Sequence, residues 1–345
     1  MPAAENSVWK LLQDLSNKKG ISEISINSPK EVFVEREGKF IQLNVALTKN
    51  DIAQFITEVA QFNHKTCNQD NPIMDGVLPD GSRINIITAP FVQSGAAISI
   101  RKYIKSIQTF HSNPGIFGLF DKWVQFFKAV INARLNIIVA GGTGVGKTTF
   151  LNLLLQEVNP QERIVTIEDT LELNFRMPNL VRLEAGAKTV GSSKIMTTAD
   201  LVKNTLRMRP DRIIIGEVRG AELFDLLQAM NTGHDGCMCS IHASSSAECL
   251  QRMETLFLLA GFDVPHRVVR RQIASGVDLI IQLSRERDGR RVVSEITEVT
   301  GMEGDTILMS KLAIFDDEGL KSTGVTSTKM DRLHVDGGLP RDFFN

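Results

Sequence analysis

Charge imbalance, long apolar runs and C-x-x-C pairs are all missing from this 345-residue chain. Lys and Arg number 39 against 40 Asp and Glu, so the formal net charge is −1 and no partner class follows from charge. A single tyrosine and the absence of any arginine-lysine run speak against the basic stripe of a nucleic-acid binder. Apolar runs such as "NIIVA" at 136–140 fall far short of the roughly 20 residues that cross a bilayer. Four cysteines (Cys67, Cys237, Cys239, Cys249) with no C-x-x-C pair are too sparse for a disulfide scaffold, so reduced thiols are expected. The opening "MPAAENSVWK" has an acid where a signal peptide has basic residues, and no apolar stretch with a cleavage site follows, so a cytoplasmic chain is expected.

What is present reads as an ordinary globular protein, 42% hydrophobic and 23% charged, long enough for two domains. Val8, Leu11, Leu12 and Leu15 share one helical face, and "EISIN" and "EVFVEREGKFIQL" then alternate as a β-hairpin around a Glu-Gly turn. A second helix is predicted over "KNDIAQFITEVAQF", followed by strands in "LPDGSRINII" and "AAISIRKY", so the chain up to about Tyr103 is α+β. Asn113, Pro114 and Gly115 break the pattern within "SIQTFHSNPGIFG", which places a hinge there and divides the chain into domains 1–112 and 113–345. Beyond it an amphipathic helix (Phe120, Trp123, Phe127, Val130, Ile131) precedes the short strands "NIIVA", "RIVTIED", "RIIIGEV", "CMCSIH" and "DLIIQL". Near-continuous Ile and Val between helical runs is the pattern of a parallel sheet covered on both faces. "RDGRRVVSEITEV" reads as a turn and an edge strand, with a less regular tail beyond Asp316.

The segment "GGTGVGKTT" matches G-x-x-x-x-G-K-[ST], sits directly after "NIIVA" and opens the apolar run "FLNLLL". Gly141, Gly142, Thr143, Gly144, Val145 and Gly146 are expected to turn successive backbone N–H groups inward, and the following helix adds its positive end, so phosphate is held. Lys147 is placed to reach the β and γ phosphates, with Thr148 offering a hydroxyl to Mg²⁺ and Thr149 beside it. The implied ligands are ATP and Mg²⁺.

Binding needs no more than this; hydrolysis needs carboxylates. "RIVTIED" ends in Glu168 and Asp169 with Glu172 behind, "RIIIGEV" ends near Glu217, and ligands of open α/β sheets lie beyond the carboxyl ends of the strands. Glu168 is assigned to the attacking water and Glu217 to the metal side, partly through water. Arg207, Arg209, Arg212 and Arg219 add nearby positive charge, of which one or two at most reach phosphate.

Together these motifs resemble the type II/IV secretion and type IV pilus ATPases, and most closely the CpaF/TadA-type ATPases of tight-adherence (Flp) pili. The likeness is carried by "NIIVAGGTGVGKTTFLN", "IVTIEDTLEL", "LVKNTLRMRPDRIIIGEVRGAE" and "LQAMNTGHDGCMCSIHAS", and its flanks run from about Ile21 to "LPRDFF". The resemblance implies a homo-hexameric motor with a RecA-like P-loop NTPase domain and a smaller α+β N-terminal domain. It would be peripheral at the inner membrane, docked on pilus or secretion platform proteins. It also implies that Arg83 and Arg101 of the N-terminal domain reach the phosphates. Two departures stand out: "AKTVGSSKIM" replaces an arginine-proline segment, and the N-terminal extension is short. A conjugation or type IV secretion ATPase moving protein or DNA would share every motif, whereas a non-hydrolysing regulator fits poorly with intact Lys147, Glu168 and Glu217.

"NTGHDGCMCSIHASS" packs metal-ligand residue types together, yet its spacing fits no standard zinc pattern. Cys237, Cys239 and Ile241 alternate onto one apolar strand face, leaving His242 on the other at the strand's end. In the resembled family this stretch is the His box, so His242 is expected near the γ-phosphate, while His234 in the preceding loop has no assigned role.

Overall fold

The structure, a computed structural model, describes residues 7–16, 18, 20–36, 39–102, 109–186, 195–261 and 264–345. The expected Glu37–Gly38 turn, Tyr103 and most of "AKTVGSSKIM" fall outside the described residues. The chain divides into two compact units, residues 1–105 and 106–345.

In the first unit helix α1 (Ser7–Ser16) precedes strands β1 (Ile21–Ser28), β2 (Glu31–Arg36) and β3 (Lys39–Leu43), then α2 (Lys49–Phe62), β4 (Ile73–Val77), β5 (Arg83–Thr88) and β6 (Ala96–Arg101). The predicted second helix is α2, started by a capping box in which Thr48 Oγ1 accepts the Asp51 amide (3.1 Å) and Asp51 Oδ2 accepts the Thr48 amide (2.8 Å). The strands form one antiparallel sheet in the order β3-β2-β1-β6-β5-β4. Ile24, Ile26, Ile84, Ile86, Ile98 and Ile100 share a core with Ile52, Phe55 and Val59 of α2. Strand alternation turns Arg83 and Arg101 to the other face, where they are register partners on adjacent strands. β4 escapes the periodicity because Gly76 interrupts it; a side chain there would collide with Asn63, whose amide bridges to Val77.

The second unit opens with a 3₁₀ turn at Ile116–Gly118 and α3 (Asp121–Asn132). There follow β7 (Ile137–Gly141), α4 (Lys147–Leu155), β8 (Ile164–Glu168), β9 (Leu180–Glu184), α5 (Thr198–Thr205), β10 (Arg212–Ile215), α6 (Glu222–Asn231) and β11 (Met238–His242). The remainder comprises α7 (Ser246–Leu259), α8 (His266–Gly276), β12 (Leu279–Arg285), β13 (Arg291–Glu303), β14 (Thr306–Asp316), β15 (Gly319–Ser322) and α9 (Met330–Val335). The sheet runs β15-β14-β13-β12-β7-β11-β10-β8-β9, parallel from β12 to β9 and antiparallel beyond β12. Both faces of its parallel part are buried. Ile137, Val139 and Ile281 face a core with Phe127 and Phe150, while Ile138, Ile213, Cys239 and Ile280 face one with Leu226, Leu250 and Ile273.

Three expectations are corrected. The "RDGRRVVSEITEV" stretch is not an edge strand, because β13 lies between β12 and β14, and the tail beyond Asp316 supplies β15 and α9. Phe120 does not join the buried face of α3: it precedes the helix and is 67% exposed, and Phe126 takes the core position. Arg212 is not among the phosphate arginines. It begins β10, at the end remote from Glu217, and is 1% exposed, with Nε and Nη2 donating to Glu162 (2.8 and 3.1 Å) and Nη2 also to the Ile131 carbonyl (2.7 Å). Arg207 and Arg209 lie in the turn leading into that same end.

A buried pair broken on one side leaves an uncompensated charge. Glu162→Ala is therefore expected to lower unfolding free energy by about 3 kcal/mol in a denaturant titration, and a loss under about 1 kcal/mol would contradict that reading of the pair.

Candidate active site

β7 is paired on both sides, and in register Gly141 lies opposite His242 of β11 and Leu283 of β12. A side chain at Gly141 has no room: its Cβ would stand 2.6 Å from Val145 Cγ2 and 2.9 Å from the Leu283 carbonyl oxygen. The loop then passes through exposed Gly142, Thr143 and Gly144 and buried Val145 to Gly146, the N-cap of α4, whose φ of 97° needs glycine. Among the described hydrogen bonds, the amides of residues 143–146 donate to no protein acceptor, which suits an anion at a helix N-terminus. Lys147 Nζ donates to the carbonyls of Gly141 (3.1 Å) and Gly142 (3.0 Å) and stands 3.4 Å from both ring nitrogens of His242. Thr148 Oγ1 donates to Glu172 Oε2 (3.0 Å), and Thr149 follows, half-buried. A hydroxyl and a carboxylate side by side are hard oxygen donors of the kind Mg²⁺ takes, along with phosphate oxygens and water.

The carboxylates are held in different ways. Glu168, the last residue of β8, is 4% exposed; its Oε1 accepts the amides of Glu172 and Leu173 (both 2.8 Å). Its Oε2 has no hydrogen-bond partner and stands 3.8 Å from Arg182 Nη2. Burial pushes this carboxyl above its ordinary range, with the two amides and Arg182 pulling back. Glu217 accepts from Arg219 on Oε2, and its Oε1, which accepts no hydrogen bond, lies against His242 Nε2. Arg219 also pairs with Asp169 (3.2 Å), so it ties the exit of β8 to that of β10. His242 is held below its usual value of 6.5, first by burial and then by Lys147 and two arginines, against the opposing pull of Glu217.

The structure thus brings Lys147, Thr148, Glu168, Glu172, Glu217 and His242 to one end of the sheet. Thr148 meets Glu172 rather than Glu217, a contact that depends on how 169–173 wraps the Glu168 carboxylate. Arg83 and Arg101 belong to the first unit. His234 precedes β11 at the opposite end from His242, and Asp235 beside it pairs with Arg332 (3.1 Å). Cys237, Cys239 and Cys249 are buried, and burial pushes Cys237 and Cys249 up to about 12 and Cys239 well above its usual value. Among the described residues no group of three His, Cys, Asp or Glu is arranged around a metal, and no helix is long and apolar enough to cross a membrane.

The family profile described as type II/IV secretion system protein matches residues 6–311. The chain belongs to this family. It is 33% identical to the conjugal transfer protein TrbB of Rhizobium radiobacter, across 82% of this chain and 84% of that one. It is also 33% identical to the type IV secretion system protein PtlH of Bordetella pertussis, across 81% and 91%. A putative conjugal transfer protein of Mycobacterium tuberculosis is 32% identical across 85% of each. Among solved structures, the ATPase DotB of Legionella pneumophila superposes with a TM-score of 0.61 at 21% identity, covering 91% of this chain and 82% of its own. The pilus retraction motor PilT gives 0.62 at 23%, covering 84% and 81%. These likenesses show the fold: a RecA-like α/β domain preceded by a smaller α+β domain.

Because its folded value is lowered, His242 favours the neutral form; that contribution is present above 6.5 and is lost as the pH falls through the lower folded value. An NMR titration of the His242 ring is expected to give a midpoint below 6.5, moved upward in Lys147→Met, which removes a neighbouring positive charge. A wild-type midpoint above 6.5 would contradict the balance of charges described.

Proposed function

We propose that this protein hydrolyses ATP with Mg²⁺ and works as a homo-hexameric motor docked on inner-membrane platform proteins, powering assembly of a tight-adherence (Flp) pilus or secretion from the cytoplasmic face. The observation that carries the enzymatic reading is the convergence on one loop of Lys147, a buried carboxylate and a second carboxylate held by a histidine and an arginine. Residues 141–149 hold the phosphates, and Thr148 and Glu172 lie where Mg²⁺ is taken, with Glu217 acting on the metal side through water. Glu168, pushed up by burial, is the better placed of the carboxylates to take a proton from the attacking water. His242 links Glu217 to Lys147 and so senses the γ-phosphate that Lys147 holds. Arg83 and Arg101 are proposed, as the family resemblance implies, to stabilise charge on the transferred phosphoryl.

A second reading has equal support. The named relatives are conjugal transfer and type IV secretion proteins, so the same motor would move protein or DNA through a type IV secretion system. The flanking segments favour the pilus reading, the named relatives the second.

Phosphate release from the purified chain tests both. Glu217→Gln is expected to lower kcat by about a hundredfold or more with nucleotide still bound, in line with the loss of charge stabilisation on the metal side. Equal rates in both proteins would remove Glu217 from the mechanism, and strong stimulation by added DNA would favour the DNA-moving reading. Removing Mg²⁺ is expected to abolish turnover, whereas a zinc-selective chelator leaves it unchanged; loss under the zinc chelator alone would point to a metal site at the cysteines.

A further inference from the structure

The segment "GIFG" at 115–118 is built around a residue in an uncomfortable conformation. Gly115 (φ 78°) and Gly118 (φ 70°) take left-handed backbone at no steric expense, but Phe117 between them also does (φ 55°, ψ 24°), which non-glycine side chains rarely adopt. Such a conformation persists only where the surroundings over-determine it. Here they do. Phe117 is 4% exposed, and its Cζ and Cε1 lie 2.9 and 3.2 Å from where a Cβ on Gly146 would be, so the ring rests directly on the N-cap of α4. The same ring meets Phe150 edge to face (centroids 5.3 Å, 85°). Phe150 closes the first turn of α4, its amide donating to the Gly146 carbonyl at 2.8 Å, so Phe117 touches both ends of that turn. Phe150 is backed in turn by Phe127 (5.2 Å) and Phe110 (6.5 Å). The turn itself cannot drift: a side chain on Gly118 would stand 2.9 Å from Phe315 of β14 and 3.6 Å from Val292 of β13. The segment also opens the second unit, which begins at residue 106.

We propose that Phe117 is a positioning residue for the phosphate loop. Its ring, set against both ends of the first turn of α4, fixes Gly146 so that the loop amides and Lys147 are already arranged for phosphate. Displacement of the segment that opens the second unit is thereby felt at the loop. This rests on the reading of residues 141–149 as a nucleotide-phosphate site.

The test uses the full chain with Phe117→Leu, Phe117→Gly and, as a control, Phe343→Leu. Glycine accepts φ 55° without strain and so removes the ring while keeping the backbone path; leucine keeps more of the packing should the glycine variant not fold. Phe343 lies in the same core but meets Trp123 edge to face (5.5 Å) and stacks on Phe126 (5.8 Å). Titration with a fluorescent ADP analogue and Mg²⁺ is expected to show Kd raised about tenfold in the Phe117 variants, with KM for ATP following and kcat changed less, as loss of preorganisation predicts. Phe343→Leu should lower Tm comparably and leave Kd within about twofold. In the unmodified protein, the ADP analogue should slow amide exchange across 110–118, because coupling between loop and segment is reciprocal. Phe117 variants that lose Tm but keep wild-type Kd, or exchange at 110–118 indifferent to nucleotide, would overturn the proposal. A wild type that binds ADP without hydrolysing ATP would sink the ATPase reading alone, because the Kd comparison still stands; one that binds neither nucleotide would sink both.

Discussion

The double parallel pairing of β7 is the constraint on which the site depends. With Gly141 opposite both His242 and Leu283, the strand cannot slide without moving the phosphate loop away from the histidine. The next pairs continue the alignment: Ile215 of β10 lies opposite Cys239 of β11 and Ile167 of β8. The ends of β8, β10, β11 and β7 therefore stand in one row, and Glu168, Glu217, His242 and the loop leave the sheet side by side although up to 101 positions separate them in sequence. Parallel strands buried on both faces demand Ile and Val throughout, which is why the chemistry gathers where the strands stop.

Within that row, roles follow from what surrounds each charge. Glu168 has two amides and a distant guanidinium but no close cation, so desolvation wins and its proton affinity rises. His242 has a carboxylate on one side and an ammonium on the other, and burial tips it toward the neutral form. Two titratable groups pushed in opposite directions at one site are an arrangement suited to moving a proton. Glu217 and Asp169 share Arg219, which keeps the exits of β8 and β10 at a fixed separation.

How much of this was legible depended on whether a residue's meaning is local. α2, the five buried strands and the glycine-rich loop between β7 and α4 follow from periodicity, a cap and glycine placement, all contained within a dozen residues. The pairing of Thr148 with Glu172 was not legible, because it depends on how 169–173 folds back around Glu168. β13 looked like an edge strand because nothing local announces β14, whose exposed and buried positions do not alternate. Phe117 was hidden for another reason: its left-handed backbone is imposed by Gly146, Phe150 and the turn around it, and no propensity of phenylalanine suggests it.

Arg212 and Arg219 carry this furthest. One begins β10 and the other follows it, seven positions on, and by composition they are the same signal. Strand direction makes them opposites. Arg212, at the start, is sealed against Glu162 and the Ile131 carbonyl; no side chain at Gly236 could pass it, since a Cβ there would stand 2.5 Å from Nη1. Arg219, past the end, is more than half exposed and pairs with carboxylates at the exits of β8 and β10. One end of the sheet is thus closed by a desolvated ion pair, whose loss would be felt as unfolding. The other is left wet and charged, so substitutions there act on the chemistry before they act on the fold.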